Sequence, residues 1–107
     1  VSPAGDPVDL VLPSADVEDD RAVGEVLVVD GFGNVITNVP GDFLADTKTV
    51  AVDGAVVPAV GTFAAVDPGE RLATVGSHGN VELDVNRGRG DEAFDLRPGD
   101  EVRLDRR

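Results

Sequence analysis

The apolar positions of this chain fall into short runs of period two, with no long stripe at helical spacing. Val81, Leu83 and Val85 alternate with Asn80, Glu82, Asp84 and Asn86, which predicts a strand with one apolar and one polar face. Further extended runs are expected near 8–12, 24–30, 34–38, 49–52, 55–57, 62–65, 72–75 and 101–104. Between two Val-rich runs, Asp53-Gly54 is the strongest hairpin signal. Asp67-Pro68-Gly69-Glu70 and Arg97-Pro98-Gly99-Asp100 read as turns, with Pro and Gly supplying the fixed and the permissive φ. Asp42 and Asp91 are candidate caps of single helical turns, and 16–21 is expected to be an exposed loop. The fold expected is all-β, a small antiparallel β-barrel or two-sheet sandwich with one or two short helical turns.

Composition narrows this picture. The 107 residues suffice for one small core, built from Val, Ala and Leu with four Phe and no Trp, Tyr or Met. The absence of Cys removes disulfides and thiolate metal sites, and a single histidine leaves little for an imidazole site, so no metal is expected. A net charge of −12 argues against a nucleic-acid partner, which needs a basic surface. The same charge repels itself within a small domain, and molar salt screens that repulsion to within ~3 Å. Low Lys (Lys48 alone) and high Asp therefore suggest adaptation to high salt. No apolar run is long enough to span a bilayer and no basic-then-apolar leader opens the chain, so a cytoplasmic location without membrane contact is expected.

Two stretches carry more polar residues than a hairpin needs. In Asp30-Gly31-Phe32-Gly33-Asn34, an acid ends an apolar run and a phenylalanine stands between two glycines. Asp30 can accept from an amine or from ribose hydroxyls, Phe32 can stack, and Asn34 carries the donor and acceptor that read an adenine edge. The alternative is a loop in which Asp30 and Asn34 bond their own backbone. The second stretch runs from Gly76-Ser77-His78-Gly79-Asn80 to Asn86-Arg87-Gly88. Ser77 and His78 are either a plain hairpin tip or a polar loop that holds a carboxylate. Adjacent in sequence, they are not placed to act as a nucleophile and its base. Glu82 and Asp84 share a strand face and could serve as an acid/base pair, but in so acidic a chain that face reads as solvated.

Together these segments resemble a known family. Residues 24–38 fit the signature G-x-V-x-x-x-D-x-F-G-N-x-x-T-N of the S-adenosyl-L-methionine (SAM) hydroxide adenosyltransferases, relatives of the SAM-dependent fluorinase and chlorinase. Residues 76–88 are similar to that family's S-x-G-x-L-E-I-A-V-N-x-G segment, and 96–102 to its closing L-x-x-G-D-x-V. The resemblance covers the family's C-terminal β domain alone. It implies that 1–21 is a connector from an N-terminal α/β domain and 22–107 a SAM-binding β-barrel. Asp30 and Ser77 would then meet the methionine end of SAM, Phe32 would pack on the ligand, and Asn34 would bond the adenine. Backbone groups near Val85, Asn86 and Arg87 would meet the adenine's other edge. His78 stands where the halogenating relatives carry an arginine, and Asp84 where a small apolar residue is usual. The resemblance further implies SAM as substrate with no cofactor, adenosine as product, and a homotrimer in which the α/β domain of a neighbouring subunit completes the site. The parent reaction would be attack of water at C5′ of SAM, with no turnover from this domain alone. Two other readings of the residues stay open, a non-catalytic barrel for protein interaction or oligomerisation, and a self-sufficient binding module for a nucleoside-like ligand.

Overall fold

The structure, a computed structural model, describes residues 14–107. The strand expected at 8–12 lies outside the described residues. Eight strands follow in order: β1 (Asp16–Val17), β2 (Arg21–Val29), β3 (Val35–Pro40), β4 (Thr49–Val52), β5 (Ala55–Pro58), β6 (Arg71–Val75), β7 (Asn80–Val85) and β8 (Glu101–Arg106). One short helix, α1 (Gly90–Phe94), and two 3-10 turns, Gly41–Leu44 and Phe63–Ala65, interrupt them.

The sheet runs β5-β4-β8-β2-β3-β7-β6 with every neighbour antiparallel. A parallel bridge between Ala59 and Ala73 brings its two ends together, so the sheet curls into a nearly closed barrel. Closure leaves little unpaired edge. The long β2 makes this possible. Its first half pairs with β8 and its second with β3, and a bulge between Val26 and Val28 turns it from one partner to the other. The bulge also breaks the alternation, which leaves Val28 exposed while Val26 is buried.

The core is what a Val-, Ala- and Leu-rich alternation produces: Val26, Val35, Val39, Val50, Val81, Leu83, Val102 and Leu104 all point inward, with Phe43 as its largest ring. Thr37 is the polar exception that is fully satisfied, since its Oγ1 donates to the Val81 carbonyl at 2.8 Å and accepts from the Val39 amide at 3.2 Å. Arg106 ties the last strand down by donating to the carbonyls of Phe43, Asp19 and Ala45.

Local expectations fare unevenly. Asp53 and Gly54 both have positive φ (49° and 93°), the two-residue hairpin their sequence predicts. Residues 16–21 are not a plain exposed loop. Asp16 and Val17 pair with Val23 and Ala22, and the Glu18 amide donates to the Arg21 carbonyl at 2.7 Å, so a hairpin spans the expected boundary at 21/22. The extended run expected at 62–65 is a 3-10 turn instead. After the Val60 amide bonds the Ala73 carbonyl at 2.9 Å, the chain leaves the sheet at Gly61 and turns before it can extend again. Asp42 lies inside its 3-10 turn and caps nothing, because Pro40 occupies the cap position. Asp91 likewise sits in the first turn of α1, its Oδ1 accepting the Glu92 amide at 3.0 Å.

Candidate functional site

The two polar stretches fold into hairpins of the same design. In the first, the Asp30 amide donates to the Asn34 carbonyl at 3.1 Å, and the Gly33 amide to the Asp30 carbonyl at 3.0 Å. In the second, Gly76 and Asn80, then Gly79 and Gly76, make the same pair of bonds at 2.9 Å each. Each loop needs a left-handed residue at its fourth position, and Gly33 (φ 85°) and Gly79 (φ 84°) supply it.

Only the first hairpin is locked by side chains. The Phe32 and Asn34 amides donate to Asp30 Oδ1 at 2.9 Å each, and Asn34 Nδ2 donates to Oδ2 at 3.0 Å. Burial alone would raise the Asp30 pKa, but the bonds from Asn34 and Phe32, with the Arg89 charge nearby, hold it below its ordinary value. Arg89 braces the turn from outside. It donates to the Gly31 carbonyl at 3.3 Å and grips Asp91 through two bonds, 3.1 and 3.2 Å, while the Asp91 amide donates to the Gly33 carbonyl at 3.0 Å. With its loop so held, Phe32 is presented to solvent at 80 % exposure.

Phe32, Asn34, Phe63, Val85, Arg87 and Gly88 line a pocket of about 420 Å³. Four of the expected residues, Phe32, Asn34, Val85 and Arg87, thus meet there. Phe63 is an addition that sequence reasoning missed, having read 62–65 as a strand. A lone Phe among small residues between Gly61 and Asp67 was the available signal. The 60–70 loop is anchored to the end of β7: Asn86 Nδ2 donates to the Val66 carbonyl at 2.8 Å, the Asn86 amide to the Glu70 carbonyl at 3.0 Å, and the Gly69 amide to the Asn86 carbonyl at 2.6 Å. Asn86 therefore serves the loop that carries Phe63, and its own backbone groups are already taken.

Ser77 and His78 are not at this pocket. They are exposed beyond the opposite end of β7, a six-residue strand. A groove of about 510 Å³ lies near that end, lined chiefly by Gly41, Leu44, Ala45, Val60 and Val75, and it is aliphatic in character.

Asp84 overturns the expectation of a solvated acidic face. It is fully buried, and neither carboxylate oxygen has a hydrogen-bond partner. Leu72 stands opposite it on β6, also fully buried, and the chain at Gly90 crosses so close that a Cβ there would stand 3.2 Å from Asp84 Cα. Burial first, then the neighbouring Glu82 and Asp30 carboxylates, push its pKa up to about 8. Glu82 remains partly exposed. Among the described residues no group of three or more His, Asp or Glu side chains is arranged to hold a metal ion, and no helix is long and apolar enough to cross a membrane.

Comparison with known proteins decides the family. The model of the SAM hydroxide adenosyltransferase C-terminal domain matches residues 24–103. The chain belongs to this family. As a SAM hydroxide adenosyltransferase C-terminal domain, it is 39 % identical over 99 residues to the (R)-S-adenosyl-L-methionine hydrolase of Salinispora tropica, covering 92 % of this chain and 36 % of that protein. It is 44 % identical over 85 residues to the enzyme of the same name from Thermus thermophilus, covering 76 % of this chain and 31 % of that one. Its fold matches an uncharacterised conserved protein from Thermotoga maritima with a TM-score of 0.81 and 35 % identity, over 90 % of this chain and 40 % of that one. The chain thus spans about a third of the length of the curated relatives it matches.

The family signature can now be divided by what each residue does. A Cβ at Gly24 would stand 2.5 Å from Asn38 Oδ1 and 2.7 Å from Val39, and that same Asn38 oxygen accepts the Glu25 amide at 2.8 Å. Gly24, Thr37 and Asn38 hold the barrel together, and Asp30, Gly33 and Asn34 lock the turn. Phe32 alone is spent on nothing within the domain.

Proposed function

We propose that this domain is one wall of the adenosyl-binding site of an enzyme that hydrolyses SAM to adenosine and L-methionine. The observation that carries the reading is Phe32, an apolar ring left 80 % exposed by a turn held rigid around it, facing a pocket shared with Asn34 and Phe63. A purine offers two flat faces for the rings and an edge for the Asn34 amide, whose oxygen is free to accept after its nitrogen has bonded Asp30.

In the reaction, a water oxygen attacks C5′ of SAM as the C5′–S bond breaks. The bonding pair leaves with sulfur, methionine departs as a neutral thioether, and the proton lost from water goes to solvent or to a base. The sulfonium is already a good leaving group, so catalysis is positioning and desolvation. This chain contributes the positioning. Relatives named for the (R)-sulfonium epimer favour that epimer as substrate.

The groups that activate water belong to an N-terminal α/β domain that precedes the β1–β2 hairpin. A neighbouring subunit of a homotrimer supplies it to each site. Ser77 and His78 take the methionine end, far along β7 from the pocket that takes the base. Asp30 acts on the ligand through Asn34 and Phe32, its carboxylate being occupied by the turn. The enzyme is cytoplasmic and salt-adapted, the latter supported by the net charge of −12.

The test is incubation of the full-length protein with SAM, with and without chloride, followed by product identification. Adenosine and methionine in both conditions support the proposal. A 5′-chlorinated nucleoside would assign the enzyme to halogenation, and unconsumed SAM would sink both.

A further inference from the structure

Among the described residues four that are not glycine have positive φ, namely Asp46, Asp53, Arg87 and Asp95. Aspartate enters this region readily because its short side chain can bond the local backbone. Arg87, at φ 59°, has no such compensation. Gly88 follows it directly but is needed where it is, since a Cβ there would stand 2.7 Å from Val85 Cγ1. The turn is no loose end either, because both backbone groups of Asn86 are bonded to the 69–70 turn. The unfavourable conformation is therefore imposed on Arg87 from both sides.

The side chain gains nothing from the protein in return. It is exposed, and among the described residues it makes no hydrogen bond or ion pair, although the chain carries 21 acidic residues. It lines the same pocket as Phe32, Asn34 and Phe63. Strain without a local return, at the rim of a site, is what a ligand contact leaves behind in the empty protein.

We infer that the Arg87 guanidinium is itself a ligand-contacting group, lying across the face of the bound base. This rests on the adenosyl-site reading and adds a side-chain contact to it. A guanidinium is planar and weakly hydrated, and it stacks on aromatic rings in a way a lysine ammonium does not. Two phenylalanines and one guanidinium around a single pocket suit a planar base.

The test uses the full-length protein with Arg87→Gly, repeated with Arg87→Asn, which accepts the same backbone. Thermal melts are run without ligand, and calorimetric titrations with adenosine and with SAM. The Tm of Arg87→Gly should rise by about 2–4 °C, because glycine relaxes the left-handed residue. Affinity for both ligands should fall by roughly 3- to 20-fold. A loss confined to SAM would mean that the guanidinium meets the methionine carboxylate, and would overturn the assignment. Unchanged affinity for both ligands, or a lowered Tm, would overturn it as well. Asn34→Ala separates the two levels: if it weakens adenosine binding while Arg87→Gly does not, only this inference fails. If Asn34→Ala is also silent, the site itself has been misread.

Discussion

Asp30 and Asn34 close the β2–β3 turn on each other, with Oδ1 accepting the Asn34 amide at 2.9 Å and Oδ2 accepting Asn34 Nδ2 at 3.0 Å. The pairing fixes which way the Asn34 amide points, since its nitrogen must face the carboxylate. The oxygen is then the end available to a ligand. Asn34→Ala should weaken adenosyl binding by about 1–3 kcal/mol, as buried polar groups on the ligand lose their partner. Asp30→Ala should weaken it through loss of that orientation and should also lower stability by about 1–2 kcal/mol, the bonds of the turn being gone. Equal affinity in the Asp30 variant and the wild type, measured by titration with adenosine, would show that the turn does not need the lock.

Phe32→Ala should separate binding from folding. The ring is 80 % exposed, so its removal should shift the Tm by no more than a degree or two. The affinity for adenosine should fall by roughly 5- to 100-fold if a base stacks there. A large drop in Tm with unchanged affinity would assign the ring to packing.

The two glycines beside Phe32 should respond differently. Gly33 has φ 85°, and a Cβ on it would stand 2.7 Å from Arg89 Cβ and 2.9 Å from Arg89 Cα, whereas a Cβ on Gly31 meets nothing within 4 Å. Gly33→Ala should cost about 1–3 kcal/mol in denaturant unfolding. Gly31→Ala should be nearly neutral.

Asp84 makes stability depend on pH in the direction opposite to Asp30. Its pKa lies near 8 in the folded chain against an ordinary 3.8. Between about pH 4 and 8 the folded state therefore keeps a proton that the unfolded state has lost, and stability from this group falls as the pH rises through that window. Asp30, with its lowered pKa, contributes above its ordinary value and loses that contribution as the pH falls. Asp84→Val, close in size and matched to the apolar site, should be more stable than wild type, with a margin that widens from pH 5 to pH 8 in thermal melts. A constant margin would mean that Asp84 is ionised throughout.

Added salt should stabilise the domain. With a net charge of −12, raising NaCl from 0.1 M to molar concentration shortens the screening length from ~10 Å to ~3 Å. The Tm should rise steadily over that range, and a flat or falling Tm would count against salt adaptation.

The sequence by itself determined the strands from β2 to β8, most of the turns and the family. Alternation of Val and Leu with polar residues sets which face of a strand goes inward, and Asp53-Gly54 or Gly33 sets where a chain can reverse, because both depend on a residue and its nearest neighbours. The signature around Asp30 was legible for the same reason. What only the tertiary structure decided were the relations between strands far apart in the chain. Barrel closure through Ala59 and Ala73 carried the 60–70 loop over to the β2–β3 turn, and so brought Phe63 to the pocket that Phe32 lines. The crossing of the chain at Gly90 over β7 buried Asp84 on a face that alternation had marked as wet. The straight run of β7 put Ser77 and Arg87, joined in one motif, at opposite ends of the strand. Period-two patterning tells which way a side chain points relative to its own strand, but what covers that side is set by whichever distant segment the tertiary fold lays across it.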